Sequence, residues 1–219
     1  MRLVVTSDTH GDHKKLGTLP DGDLLIHCGD FQDQSYDERT FLNFIDWMAS
    51  QPHRDKLVVP GNHDGIVDIG GWNRPDEVLK RVKHAQERGV TIKSLDRVVI
   101  GKVSFGCYSY TPKFMAWHFQ NEDVLQAQER LMHLSTKVDV LVSHGPSYGF
   151  MDQNYAGVHS GCKALREWVC AYKPKYHFYG HIHEAYGHGK FGDTEVYCAS
   201  FLDGSYNVAN KPHVVDICV

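Results

Sequence analysis

Short apolar runs recur along the chain, and most of them stop at a Gly, Asp, Asn or His. Arg2 to Thr6, Leu24 to Cys28, Lys56 to Val59, Val138 to Val142 and Tyr176 to Tyr179 have the length and near-continuous hydrophobicity of buried strands. Helical spacing appears between them. Phe41, Phe44, Ile45 and Met48 mark an amphipathic helix between Tyr36 and Ser50, and Val78, Leu79 and Val82 mark one from about Asp76 to Arg88, closed by Gly89. Val124, Leu125, Leu131 and Leu134 share one side of a helix from Glu122 to Leu134, and Cys162 to Ala171 reads as a shorter one. Val90 to Ile92, Arg97 to Ile100 and Lys102 to Cys107 are β-like, with Gly101 placed to turn the last two into a hairpin. Tyr186 to Lys190, Glu195 to Ser200 and Val214 to Ile217 read as late strands that finish a sheet. Two stretches show neither period: Tyr108 to Gln120, carrying Tyr110, Phe114, Trp117 and Phe119, and Tyr148 to Ser160. The first reads equally as a packed surface loop and as a wall of a substrate cleft.

The alternation of strands and helices predicts an α/β fold, and with no internal repeat, low-complexity segment or linker, residues 1–219 are expected to form a single domain. A hydrophobic fraction of 42% and a charged fraction of 23% are those of a soluble globular protein. The net charge of -4 argues against a stable complex with long nucleic acid. No run approaches the roughly 18 apolar residues that cross a membrane, and no signal peptide precedes the first strand at Leu3-Val4-Val5. The six cysteines are scattered without a C-x-x-C, so reduced thiols and a cytoplasmic location are expected. Histidine is abundant, at 15.

The strand ends carry the chemistry. Asp8-Thr9-His10, Gly29-Asp30, Gly61-Asn62-His63-Asp64, Ser143-His144-Gly145-Pro146 and Gly180-His181-Ile182-His183 each follow an apolar strand, where α/β folds place their ligands. Any one cluster is explicable as turn chemistry; the recurrence on the downstream side of so many strands is not. Together they offer the carboxylates of Asp8 and Asp30, the amide oxygen of Asn62 and the imidazoles of His10, His144, His181 and His183. This exceeds the need of one ion, and the mixed N/O set suits two divalent transition ions rather than Mg²⁺ or a structural cysteine site.

These blocks, in this order, resemble the signature of the calcineurin-like metallophosphoesterase superfamily: D-x-H, G-D, G-N-H-[DE], H-G and G-H-x-H. Within it the chain is most similar to the small metallophosphodiesterases of the MPPED branch, in Pro20-Asp21-Gly22-Asp23, Ile26-His27-Cys28-Gly29-Asp30-Phe31, Trp117-His118-Phe119, Gly161-Cys162, Pro174-Lys175 and Gly180-His181-Ile182-His183-Glu184-Ala185-Tyr186-Gly187. The resemblance implies a four-layer α/β/β/α sandwich, two mixed sheets flanked by helices. It implies a first metal on Asp8, His10, Asp30 and His183 and a second on Asp30, Asn62, His144 and His181, with Asp30 bridging. Manganese is the foremost ion implied, with Fe, Zn, Co or Ni as alternatives. One branch of the family lacks the first His of G-H-x-H; His181 is present here, so both positions are expected to fill. The Arg-containing block of the protein Ser/Thr phosphatases is absent from Gly29-Asp30-Phe31-Gln32-Asp33-Gln34-Ser35, which argues against that activity.

Two such ions, about 3.5–4 Å apart, screen a phosphodiester's charge and acidify a bridging water. The two Asp carboxylates and a bridging hydroxide leave that centre net positive, so it attracts the ester, and hydroxide attacks phosphorus opposite the leaving alkoxide. His63, adjacent to Asn62, is the candidate to assist the leaving oxygen, as general acid or by charge; a third metal ligand or a simple phosphate contact are the other readings. Asp64 is placed to accept the His63 Nδ1 hydrogen. Asp12, Asp33, Asp152 and Glu184 are available to brace metal-bound imidazoles. His118 and His159 fall in the irregular segments beside the expected cleft. The expected activity is hydrolysis of small phosphodiesters, cyclic nucleotides (2',3'- or 3',5'-) foremost; a phosphomonoesterase, a nuclease or a non-catalytic scaffold are the alternatives. The sequence leaves the oligomeric state open.

Overall fold

The computed structural model of the chain describes residues 1–33, 37–68 and 76–218. In chain order the elements are β1 (Arg2–Thr6), β2 (Leu24–His27), α1 (Glu38–Ser50), β3 (Asp55–Val58), α2 (Gly65–Asp68), α3 (Asp76–Glu87), β4 (Val90–Ile92), β5 (Leu95–Ile100) and β6 (Val103–Tyr108). There follow β7 (Thr111–Pro112), β8 (Gln120–Asn121), α4 (Val124–Met132), β9 (Val140–Ser143), α5 (Lys163–Tyr172), β10 (Tyr176–Tyr179), β11 (Gly187–Phe191), β12 (Thr194–Cys198) and β13 (His213–Asp216).

One sheet runs β13-β1-β2-β3-β4, parallel except for the β13 edge; the other runs β11-β12-β10-β9-β6-β5, parallel within and antiparallel at both edges. Alternation along the strands decides what each face meets. Leu3, Val5, Leu24, Ile26 and Leu57 point inward onto Phe105, Val140, Val142 and Phe178, a fully buried seam between the sheets. Their neighbours Val4, Leu25 and Val58 point outward onto Phe41, Phe44, Ile45 and Met48 of α1 and Val78 and Ala85 of α3. On the far side Leu141 meets Ala127 and Leu131 of α4 and Leu165, Trp168 and Val169 of α5. Each buried aliphatic or aromatic side chain contributes about 1.5–3 kcal/mol, so all three seams are needed and the result is the α/β/β/α order.

Helix starts are set by side-chain caps. Asp37 accepts from the Arg39 and Thr40 amides, and Asp123 from Gln126, which is why α4 begins at Val124 rather than at Glu122. Gly101, at φ 63°, turns β5 into β6. The helix expected from Tyr36 is found as α1, although Tyr36 itself lies outside the described residues, as do Gln34 and Ser35. The short α2 and the β7–β8 pair carry too few residues for a periodic signal. Among the described residues no helix is long and apolar enough to cross a membrane.

Candidate metal centre

The loops that leave β1, β2, β3, β9 and β10 meet where the two sheets come together. Past the strands, the Asp8 and His10 amides still donate to the carbonyls of Gly29 and Asp30, at 2.9 and 3.0 Å. Across the seam Ser7 bridges to Ser200, and within the second sheet the Gly180 amide extends the β10–β9 pairing by donating to the His144 carbonyl. Gly180 permits the closest approach: a Cβ there would lie 2.1 Å from both Asp8 Oδ2 and Ser7 Oγ. Asp8, His10, Asp30 and His181 have φ between 41° and 67°, a left-handed backbone that disfavours branched or bulky residues. That strain, about 1–3 kcal/mol per residue, sits at the ends of three loops and is held by these contacts.

All seven sequence-derived ligand candidates converge. Donor atoms of Asp8, His10 and His183 lie within 4.8 Å of one another, and so do those of Asp30, His144 and His181. Asp30 Oδ2 faces both groups, 3.3 Å from His144 Nε2 and 4.0 Å from His10 Nε2. Asn62 Oδ1 is 2.9 Å from His144 Nε2, and Asp8 Oδ1 is 3.6 Å from His183 Nε2.

The imidazoles are held by main-chain carbonyls. His10 Nδ1 donates to Gln32 O (3.1 Å), His144 Nδ1 to Cys28 O (2.9 Å) and His183 Nδ1 to Asp203 O (3.0 Å). A carbonyl only accepts, so each ring carries a hydrogen on Nδ1 and turns Nε2 to the centre. The expected carboxylate braces do not do this: Asp12 pairs with Lys15, and Asp152 with His159. A backbone carbonyl has no side-chain signature, so Gln32, Cys28 and Asp203 left no trace in the sequence. Asp8 is anchored by the Ser200 hydroxyl (2.9 Å) and the His181 amide (3.0 Å).

Burial would raise both Asp8 and Asp30, yet His183 beside the first and His144 beside the second hold them below the usual carboxylate range. Reciprocally, burial disfavours the imidazolium, but Asp8 lifts His183 and Asp30 lifts His144 to about 9. Burial pushes His181 down to about 3. His10 Nε2 is buried with no hydrogen-bond partner, an orphaned lone pair beside two carboxylates. Buried carboxylates, oriented imidazoles and an unpaired nitrogen are a donor set that fits borderline divalent cations.

His63 sits at the rim. Its amide donates to Asp30 Oδ1 (2.8 Å) and its Nδ1 to the Asp33 carbonyl (2.9 Å). A ring nitrogen lies within 4.8 Å of donor atoms of His10 and Asp30. The expected Asp64–His63 contact is replaced by a different one. Asp64 is fully buried and its carboxylate accepts from the amides of Gly61 (2.7 Å), Asp30 (2.8 Å) and Gln32 (3.0 Å), tying the loops after β2 and β3 together. Burial and the Asp30 charge push its carboxyl well above the usual range.

Both irregular segments border a cavity of about 590 Å³ that opens on His181 and His183 and is walled by Phe114, Tyr155 and Tyr206. In the segment from Tyr108 to Gln120, Phe119 is core while Phe114 lies 5.3 Å from the His181 ring and lines the cavity. His118 instead meets Asp68 (3.1 Å). Tyr206, which no pattern singled out, lies 5.0 Å from the His10 ring and 4.9 Å from the His183 ring. A second cavity, of about 470 Å³ beside the starts of α4 and α5, holds none of the candidate ligands.

Residues 1–185 match the family model of the calcineurin-like phosphoesterases. A UPF0046 protein of Caenorhabditis elegans is 30% identical over 231 residues, covering 98% of this chain and 74% of its own length. Metallophosphoesterase domain-containing protein 1 of Homo sapiens is 29% identical over 233 residues, covering 99% of this chain and 71% of its own. Among solved structures, phosphopantetheinyl hydrolase of Mycobacterium tuberculosis superposes with a TM-score of 0.60 at 16% identity, covering 93% of this chain and 90% of that one, a likeness of fold.

Proposed function

The chain belongs to the calcineurin-like phosphoesterase family and is a phosphoesterase hydrolase; within that activity we propose a phosphodiesterase of small diesters, cyclic nucleotides foremost, working with two divalent ions. The observation that carries the reading is Asp30, one carboxylate oxygen of which faces an imidazole of each group. Asp8, His10, Asp30 and His183 would hold one ion and Asp30, Asn62, His144 and His181 the other, Mn²⁺ before Fe, Zn, Co or Ni. Bound there, the ions supply positive charge against the phosphoryl oxygens and acidify water.

The chain's own groups do the rest. The Asp33 carbonyl keeps the His63 hydrogen on Nδ1, so a second proton, on Nε2, is the one His63 can give to the leaving oxygen. Phe114 and Tyr206 offer flat apolar faces beside the centre, suited to a nucleobase. A cavity of about 590 Å³ is in the range of small-molecule sites, which with the net charge of -4 supports a small diester over nucleic acid. All six cysteines are free thiols, which supports a reducing, cytoplasmic setting.

The test is turnover of bis(p-nitrophenyl) phosphate with added Mn²⁺, followed by a panel of cyclic nucleotides, linear dinucleotides and monoesters. Cyclic diesters are expected to be cleaved fastest. Rates equal to those of Asp30→Ala and His144→Ala would end the reading; a preference for monoesters would move it to phosphomonoesterase.

A further inference from the structure

A histidine that delivers a proton must hold its ring in one plane, and a single hydrogen bond leaves it free to swivel. Among the described residues the His63 ring has that one hydrogen bond, from Nδ1 to the Asp33 carbonyl. The second constraint comes from the irregular segment. The indole of Trp117 lies against the His63 ring with centroids 4.0 Å apart and planes 28° off parallel, a stack. His10 meets the same ring edge-on, at 4.8 Å and 90°.

The loop that carries the indole is itself fixed. Beside it in the chain, the His118 amide donates to the Asn62 carbonyl (3.1 Å), the residue before His63. The base of the loop is closed by Thr111 to Phe119 (2.9 Å), Lys113 to Asn121 (3.0 Å) and the Gln120 side chain to the Phe114 carbonyl (2.8 Å). Phe119, 3% exposed, anchors the far end against Tyr110. Trp117 is therefore carried on a clamped loop.

We propose that Trp117 is the positioning residue of His63, holding the imidazole plane so that Nε2 faces the leaving oxygen. The assignment rests on the phosphodiesterase reading. In the step it serves, a water oxygen bonds to phosphorus and gives up one proton to solvent, the ester P–O bond breaks with its electron pair on the departing oxygen, and that oxygen takes the His63 Nε2 proton. The products are a monoester and an alcohol, and His63 regains its proton from solvent.

The experiment grades aryl diesters by leaving group. p-Nitrophenolate departs without a proton, whereas phenolate gains from one. General acid catalysis is worth about 10²–10⁴-fold, so a misplaced acid should cost about tenfold or more on diphenyl phosphate. Trp117→Leu is expected to show that loss in kcat, with less than about threefold on bis(p-nitrophenyl) phosphate, and Trp117→Phe to stay near wild type on both. In a His63→Ala background Trp117→Leu should add nothing. Independently of turnover, the His63 ring protons of the metal-free protein should be shifted upfield by the indole, and lose that shift in Trp117→Leu. Equal losses on both esters, a loss that persists without His63, or unshifted His63 protons in wild type would each overturn the assignment while leaving the phosphodiesterase reading intact. A wild type that cleaves neither ester would overturn the phosphodiesterase reading, and this assignment with it.

Discussion

Asp30 and His144 face each other at 3.3 Å, Oδ2 to Nε2, from loops that belong to different sheets. The same oxygen is 4.0 Å from His10. Removing the charge should therefore empty both halves of the centre. Asp30→Asn is expected to leave little bound metal and to lower turnover by at least about a thousandfold, whereas Asn62→Ala should lose one ion. Metal content per chain, measured beside the rate, decides: one ion kept in full by Asp30→Asn would refute the bridging place.

In the metal-free protein Asp30 and Asp8 keep His144 and His183 protonated up to about pH 9. Both rings must give up that proton to bind an ion through Nε2. Apparent metal affinity should accordingly climb between about pH 6.5 and 9, by up to about tenfold per unit for each proton displaced. Titration of the apo protein with Mn²⁺ at several pH values reads the slope; a flat profile would contradict the pairing. Adding back the metal at a hundred times its Kd should stabilise the fold by about 2.7 kcal/mol.

Asp64→Asn keeps the shape but replaces one of the two oxygens that accept three backbone N–H groups with an amide nitrogen, which sets donor against donor. A buried donor left without a partner costs about 1–3 kcal/mol, so the midpoint of urea unfolding should fall. Activity should fall with metal occupancy and recover in excess metal. Loss of activity at full occupancy and unchanged stability would return Asp64 to a direct part in proton transfer.

A Cβ at Gly180 has no space beside Asp8 and Ser7. Gly180→Ala should cost about 1–3 kcal/mol from overpacking and weaken the site that Asp8 helps to form. Wild-type stability in urea would show that the seam can open there.

His177 tests burial away from the centre. It is fully buried, 2.7 Å from the Ser143 hydroxyl, and desolvation pushes its pKa down to about 3. Below about pH 6.5 the unfolded chain takes up a proton that the folded one refuses, so its stabilisation, complete above that pH, drains away as pH falls towards about 3, by about 1.4 kcal/mol per unit. His177→Phe should unfold with a shallower pH dependence, by one proton; an unchanged slope would mean that His177 is not the group responsible.

Legibility followed side-chain chemistry. The ligand candidates stood out because Asp, Asn and His at the ends of apolar strands have few other reasons to recur, and the strands because period and length agree. What stayed hidden is made of backbone: the carbonyls of Gln32, Cys28 and Asp203 that turn the imidazoles have no residue preference. Adjacency in the sequence pairs Asp64 with His63, but a buried loop carboxylate is drawn to amides, and three are in reach. Tyr206 was invisible because its left-handed backbone, φ 61°, and its place over His10 and His183 arise only once the chain returns across the sandwich.

Ser200 and Asp203 lie beyond residue 185, where the family match stops. A fragment trimmed there would retain every candidate ligand and still lack the hydroxyl that steadies Asp8 and the carbonyl that aims His183. The extent of the candidate centre is thus set by supporting hydrogen bonds rather than by the candidate ligands alone, and shortened versions that keep its geometry must extend at least through the turn that carries Asp203.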